Sequence, residues 1–221
     1  MTVPPVGPGT TAQHALDQLR HAIVARELRP GQRVVQEEIA EGLGVSIAPV
    51  REALRVLEQE GQVTYRPRRG YFVTELHTED LAEIYELRQV LEERAARRAL
   101  PTHDDDALER IALAARDCAL AAEVGDVAGE LEANRRFHFA VLESPDQVHT
   151  MRVIRLLWDA TEAYRAIYYN SSSERHAAVD AHDRILAAVR ARDADALVCE
   201  LDAHRARALH VLSGILPEAA G

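Results

Sequence analysis

Three histidines in this chain occupy positions where an imidazole has no ordinary reason to be. In the stretch LEANRRFHFAVL, His138 shares a helical stripe with Leu131, Val141 and Leu142, and Asn134 lies one turn before it. His182 falls on the stripe of Val179, Ile185, Leu186 and Val189; His204 falls on that of Leu197, Leu201, Ala208 and Val211. Each therefore turns inward from its own amphipathic helix. A buried polar group without a partner costs on the order of 1–3 kcal/mol. One inward histidine is usually a satisfied core residue. Three on three helices are explained more economically by one shared partner, and a divalent metal is the partner that neutral imidazole serves most often. The pattern leaves two readings open: a metal site, or three unrelated core histidines. The other seven (His14, His21, His77, His103, His149, His176 and His210) share no such pattern and read mostly as surface.

Arg88 has the same inward placement, on the stripe Leu81, Ile84, Tyr85, Leu91 and Ala95. A buried guanidinium needs an anion. That anion is either Glu92, one turn on, or a ligand. Tyr164, Arg165, Tyr168 and Tyr169 are further candidates for a cavity wall, with a register the pattern does not fix.

A second group of arginines points outward. In GVSIAPVREALRVLEQEG, Val50, Ala53, Leu54 and Leu57 form a buried stripe, while Ile47, Arg51 and Arg55 share another ridge at i, i+4 and i+8. Ser46 is a suitable N-cap for this helix, and Pro49 is tolerated in its first turn. A helix over about 36–43, ended by Gly44, precedes it. After Gly61 the period changes from helix to strand. Val63–Tyr65 and Tyr71–Val73 are rich in β-formers, and Arg66, Arg68 and Arg69 lie in the loop between them. A short helix pair followed by an arginine-tipped hairpin is a winged helix-turn-helix pattern.

From Thr78 onward the pattern is helical. Six segments are predicted, over about 79–99, 103–123, 126–143, 147–169, 173–191 and 194–213, with Thr78, Thr102, Asp126 and Asp193 as caps. The expected fold is mainly α: a winged helix-turn-helix followed by an antiparallel six-helix bundle. The expected organisation is a flexible segment over 1–10, the DNA-binding module over 11–74, a linker over 75–80 and the helical domain over 81–215.

Composition narrows the chemistry. The chain has 221 residues, 47% of them apolar, which is a globular composition. All 26 basic residues are arginine, so no lysine is available for a Schiff base or a P-loop. Net charge is −10. Residues 1–74 nevertheless hold nine Arg against eight Asp plus Glu, whereas residues 75–221 hold 17 against 28. The acidity thus spares the first module. No apolar run approaches the ~20 residues of a membrane span, the first ten residues do not read as a signal peptide, and Cys118 and Cys199 read as reduced core thiols. A cytoplasmic location is expected.

The first module resembles a known family. The stretch from Leu16 to Val73, with its motifs LRPG, GVS, PVREALRVLEQEG and RGYFV, is similar to the DNA-binding domain of GntR-type bacterial transcription regulators. The resemblance implies that the VREAL helix enters the major groove and the wing reaches the minor groove. It makes Ser46, Arg51, Arg55, Arg68, Arg69 and Gly70 DNA-contact candidates. Ile47 stands where the family usually has Arg, and an apolar contact to a thymine methyl is the expected replacement.

The helical half resembles the FCD effector-binding domain of the FadR-like branch, through EIYELRQVLEERAARRA, RRFHFAVLE, AHDRILAAVRARDADA and LDAHRARAL. Many FCD domains are similar in carrying an Asp one turn before the first His, then two more His; these four bind a metal that helps hold a carboxylate effector. The resemblance assigns His138, His182, His204 and Asn134 as ligands, with Arg88 at or beside the effector. Asn134 stands where the family usually has Asp, so a weaker neutral ligand or a lost metal is implied. ESPDQ stands where the family's helix usually ends in a small residue and Asn.

The functional expectation is a homodimeric regulator on a palindromic operator, holding a small carboxylate through a divalent metal, with zinc or nickel favoured by ligand type. A direct metal sensor is the alternative. A metal-dependent enzyme is disfavoured, because no general base is evident and the first module has no catalytic purpose.

Overall fold

A computed structural model describes residues 8–25, 27–75, 77–214 and 216, and divides the chain into two compact units, Met1–Glu75 and Leu76–Gly221. The flexible segment expected over 1–10 lies mostly outside the described residues, and α1 (Pro8–Val24) begins within it.

The first unit builds a recognition surface. Helices α2 (Gln36–Leu43) and α3 (Ile47–Gln59) meet at Gly44, whose φ of 65° is the left-handed turn that glycine accepts without cost. Ser46 takes the N-cap position of α3, but its hydroxyl makes no cap bond, contrary to the capping role expected of it. Val50, Ala53, Leu54 and Leu57 are buried as the periodicity requires. They pack against Leu16, Leu19 and Ile23 of the buried α1 face. Strands β2 (Val63–Arg66) and β3 (Gly70–Val73) form the wing, with Arg66 opposite Gly70. A third strand, β1 (Arg33–Val34), pairs with Tyr71 and Phe72 and makes the order β1-β3-β2. Two residues are too few for a period-2 signal, and this strand was not anticipated.

The second unit is helical: α4 (Thr78–Ala99), a 3₁₀ turn (Leu100–Thr102), α5 (Asp105–Val124), α6 (Val127–Leu142), α7 (Val148–Ala160), α8 (Glu162–Tyr169), α9 (Ser172–Ala191) and α10 (Ala194–Ser213). Its core gathers Phe137, Leu142, Ile154, Trp158, Ile185 and Leu197. Helix α4 starts inside the expected linker, with His77 rather than Thr78 at its N-cap and Asp80 Oδ2 accepting from the His77 N–H at 3.0 Å. Asp104, not Thr102, caps α5, while Asp126 and Asp193 cap α6 and α10 as expected.

One difference matters for the site. The segment predicted over 147–169 as one helix is two, broken at Thr161. That residue is fully buried, and its hydroxyl donates back to the Trp158 carbonyl at 3.1 Å. Such back-bonding competes with the helical ladder. The break re-aims α8, and with it Arg165, Tyr168 and Tyr169.

Candidate functional site

Helices α6, α9 and α10 bring the three histidines together. Ligand atoms from His138, His182 and His204 all lie within 4.8 Å of one another. The ring centroids of His138 and His204 stack at 5.0 Å, and those of His182 and His204 lie 5.1 Å apart. His138 and His182 are buried, while His204 keeps some solvent contact. Neither ring nitrogen of His138 has a hydrogen-bond partner, nor has Nδ1 of His182 or of His204. Unrelated core histidines would have found partners. The set fits a divalent ion.

Burial is the main force on the protonation of all three rings. It holds His138, His182 and His204 below the ordinary imidazole range, His204 at about 4. The neighbouring imidazoles press His138 and His182 further down, and Arg88 does the same to His138 and His204. All three are therefore neutral at pH 7, the form a metal needs.

Asn134 faces the cluster, as expected of a ligand, but its amide oxygen is engaged. Oδ1 accepts from the Tyr169 hydroxyl at 2.9 Å and lies 3.1 Å from His182 Nε2. The amide thus ties α8 and α9 to α6 whether or not it coordinates.

Arg88 lies on the cavity wall, and the anion that meets its buried guanidinium is Glu92, one of its two sequence readings. Its Nε donates to Glu92 Oε1 at 2.8 Å, and its Cζ sits 4.3 Å from the Trp158 ring. Glu92, fully buried, also accepts from Trp158 Nε1 at 2.7 Å and from Arg205. Burial alone would raise the Glu92 carboxyl; Arg88 and Arg205 outweigh it and hold the group below the usual carboxylate range. The contributions of Trp158 and Arg205 were missed. Their only available signals were a lone tryptophan and an arginine beside His204. Arg165, Tyr168 and Tyr169 do line this cavity, whereas Tyr164 does not border it. The enclosed space is about 30 Å³, room for an ion and a water.

The expected DNA-contact residues share the first unit. Arg51 and Arg55 are exposed on α3 beside Ile47, itself 37% exposed, and Ser46 is exposed at the start of the helix. Burial, with Glu58 nearby, raises the Tyr71 phenol above its ordinary range against the opposing charge of Arg55. Arg68 and Arg69 are exposed at the wing tip. Arg66 and Arg69 stack on Phe72 with their Cζ atoms at 4.5 and 5.5 Å from its centroid. Gly70 has φ 89° and Arg68 φ 63°, so the turn depends on left-handed backbone at both. At Gly70 a side chain would be strained.

Two expectations elsewhere are corrected. Cys199 is exposed rather than a core thiol, while burial pushes the Cys118 thiol up to about 12. His103 is buried, its Nε2 at 3.1 Å from the Val141 carbonyl.

Comparison with known proteins agrees with this architecture. Residues 11–73 match the family described as bacterial regulatory proteins, gntR family, and residues 83–207 match the FCD domain. The Nta operon transcriptional regulator of Aminobacter aminovorans is 31% identical over 204 residues, covering 88% of this chain and 93% of that protein. The HTH-type transcriptional regulator McbR of Escherichia coli K12 is 28% identical over 182 residues, covering 80% and 81%. The solved structure of E. coli McbR/YncC superposes with a TM-score of 0.81 over 96% of this chain and 99% of that one, at 24% identity. Among the described residues no helix is long and apolar enough to cross a membrane. This chain belongs to the GntR family and is a DNA-binding transcription regulator carrying an FCD domain.

Proposed function

We propose that the FCD domain holds a divalent ion on His138, His182 and His204 and binds a small carboxylate beside it, and that ligand occupancy shifts the affinity of a homodimer for a palindromic operator. The observation that carries this reading is the cluster of converging, neutral, hydrogen-bond-starved imidazoles. The ion would supply a Lewis-acidic centre for an oxygen ligand. The protein's part is to keep the three rings neutral and to fix the walls through Glu92 and Asn134. Titrating operator affinity with zinc, with carboxylates and with both tests it. The cavity's small volume favours a second reading, a direct metal sensor; operator affinity that follows zinc and ignores every carboxylate selects it.

On the DNA side, Arg51→Ala weakens operator binding by roughly 1–3 kcal/mol and relaxes preference at one base pair if Arg51 reads a guanine. Arg69→Ala weakens all sequences alike and lowers the salt slope by about one. Equal affinity of Arg51→Ala and wild type for the operator would remove α3 as the reading helix.

Dimerisation follows from the shortness of α3, since one such helix spans too few base pairs for useful selectivity. Sedimentation at micromolar concentration should give a dimer. A monomer, free and on DNA, contradicts it.

The histidines also set a pH dependence. Their folded-state pKa values lie below the ordinary 6.5, so the unfolded chain takes up protons first as pH falls. The stabilisation from neutral His204 is complete above about 6.5 and is lost progressively towards about 4. The slope is up to ~1.4 kcal/mol per pH unit for each such group. Urea midpoints of chelated protein at pH 7.5 and 5 should differ accordingly. Identical midpoints mean that the rings are not buried neutral.

A further inference from the structure

The cavity wall carries a second guanidinium whose hydrogen-bonding capacity the folded chain leaves largely unused. Arg165 is 5% exposed, lies on the wall, and stacks on Trp158 with its Cζ 4.0 Å from the ring. Its Nη2 donates to Glu162 at 2.6 Å, but neither Nε nor Nη1 has any partner. Two buried guanidinium nitrogens without acceptors are costly, and their N–H groups await an anion. Arg88, by contrast, is already answered by Glu92.

The charge balance around the histidines agrees. Glu92 takes Arg88 and Arg205; Asp202 also binds Arg205. Glu162 takes Arg165 and lies 3.6 Å from Arg135, which binds Asp159 at 2.7 Å. Arginines and carboxylates in this network cancel one for one. The groups nearest the candidate ion, three imidazoles and the Asn134 amide, are neutral. A divalent ion there would leave two positive charges uncompensated in a largely buried site. The ligand, not the protein, must then bring the negative charge.

We infer that the ligand is a small dianion of the dicarboxylate class, with one carboxylate at the histidine cluster and the other on Nε and Nη1 of Arg165. Trp158 connects the two ends: its ring centroid is 5.1 Å from that of His138, and Arg165 lies over the same indole. The present cavity is too small for such a molecule, so α8 must move outward to admit it. That helix is bounded by the Thr161 break and the turn at Asn170, and it carries Arg165, Tyr168 and Tyr169 together. The inference rests on the effector reading above, and its test separates the two.

The test uses the full-length protein, with and without zinc, and pairs of probes matched in chain length: propionate against malonate, butyrate against succinate, valerate against glutarate. Affinities come from calorimetry. Wild type should prefer at least one diacid over its matched monoacid by about tenfold or more, the worth of a charge-assisted pair. Arg165→Gln should abolish that preference while monoacid binding and a zinc-induced rise in melting temperature both remain measurable. Arg165→Lys should restore part of it. No diacid preference at any length, or a preference that survives Arg165→Gln, overturns the inference. If zinc binds and the preference is absent, the arginine anchor falls and the metal reading stands. If diacids bind through Arg165 without zinc, the anchor stands and the metal reading falls.

Discussion

Zinc or nickel should raise the melting temperature of the helical domain, and His138→Ala should abolish the rise. A ligand that binds only the folded state stabilises it by mass action, by about 4 kcal/mol at a free concentration a thousand times its dissociation constant. For a domain of this size that is on the order of ten degrees. His182→Ala and His204→Ala should each remove most of the same gain. His138→Ala also loses the packing of its buried ring against Trp158 and His204, so the metal-induced rise is read for each variant from its own chelated baseline. Asn134→Asp should bind metal more tightly, because it adds an anion beside three neutral rings. Asn134→Ala should cost about 1–3 kcal/mol even in chelator, since it orphans the Tyr169 hydroxyl and His182 Nε2. Melting curves with chelator, zinc and nickel, backed by elemental analysis, decide the matter. A chelator-insensitive melt with no response to either metal would sink the metal site.

What could be seen beforehand follows from what a linear pattern encodes. The histidine cluster was visible because each ring falls on a 3.6-residue apolar stripe, and burial depends on that stripe alone. The recognition helix and wing were visible because Gly44, Gly61 and the arginine-tipped turn are local signals. The break at Thr161 was not. The run LLWDATEAYRAIYY holds no Gly or Pro, and the cause is a threonine hydroxyl turning back on its own helix. The Glu92 hub was half visible. Arg88 lies four residues from it, within one helix, but Trp158 and Arg205 are 66 and 113 positions away and meet it only through tertiary packing. Arg165 was named as a wall residue without a register, because the broken helix sets its direction.

Removing the Glu92 charge should be the most destabilising single change in the second unit. Glu92→Gln keeps the shape and leaves an acceptor for Trp158 Nε1, but it strips the counter-ion from Arg88 and from Arg205. Arg205 retains Asp202 as an ionic partner; among the described residues Arg88 pairs with no other carboxylate. Breaking a buried pair from one side leaves an uncompensated charge, and costs about 3–5 kcal/mol. The cost should come from the stranded arginine rather than from the lost attraction. Glu92→Met combined with Arg88→Met should therefore lose less stability than the two single changes added together. The damage should also reach the site. Glu92 holds the indole that packs against His138 and Arg165, so Glu92→Gln should weaken zinc binding although no zinc ligand is touched. Urea denaturation of Glu92→Gln and of the four members of the cycle, with zinc titrations of each, supplies the measurement. A Glu92→Gln penalty below about 1 kcal/mol, the range of an exposed ion pair, would mean that water reaches this carboxylate and that the wall behind the histidines is open.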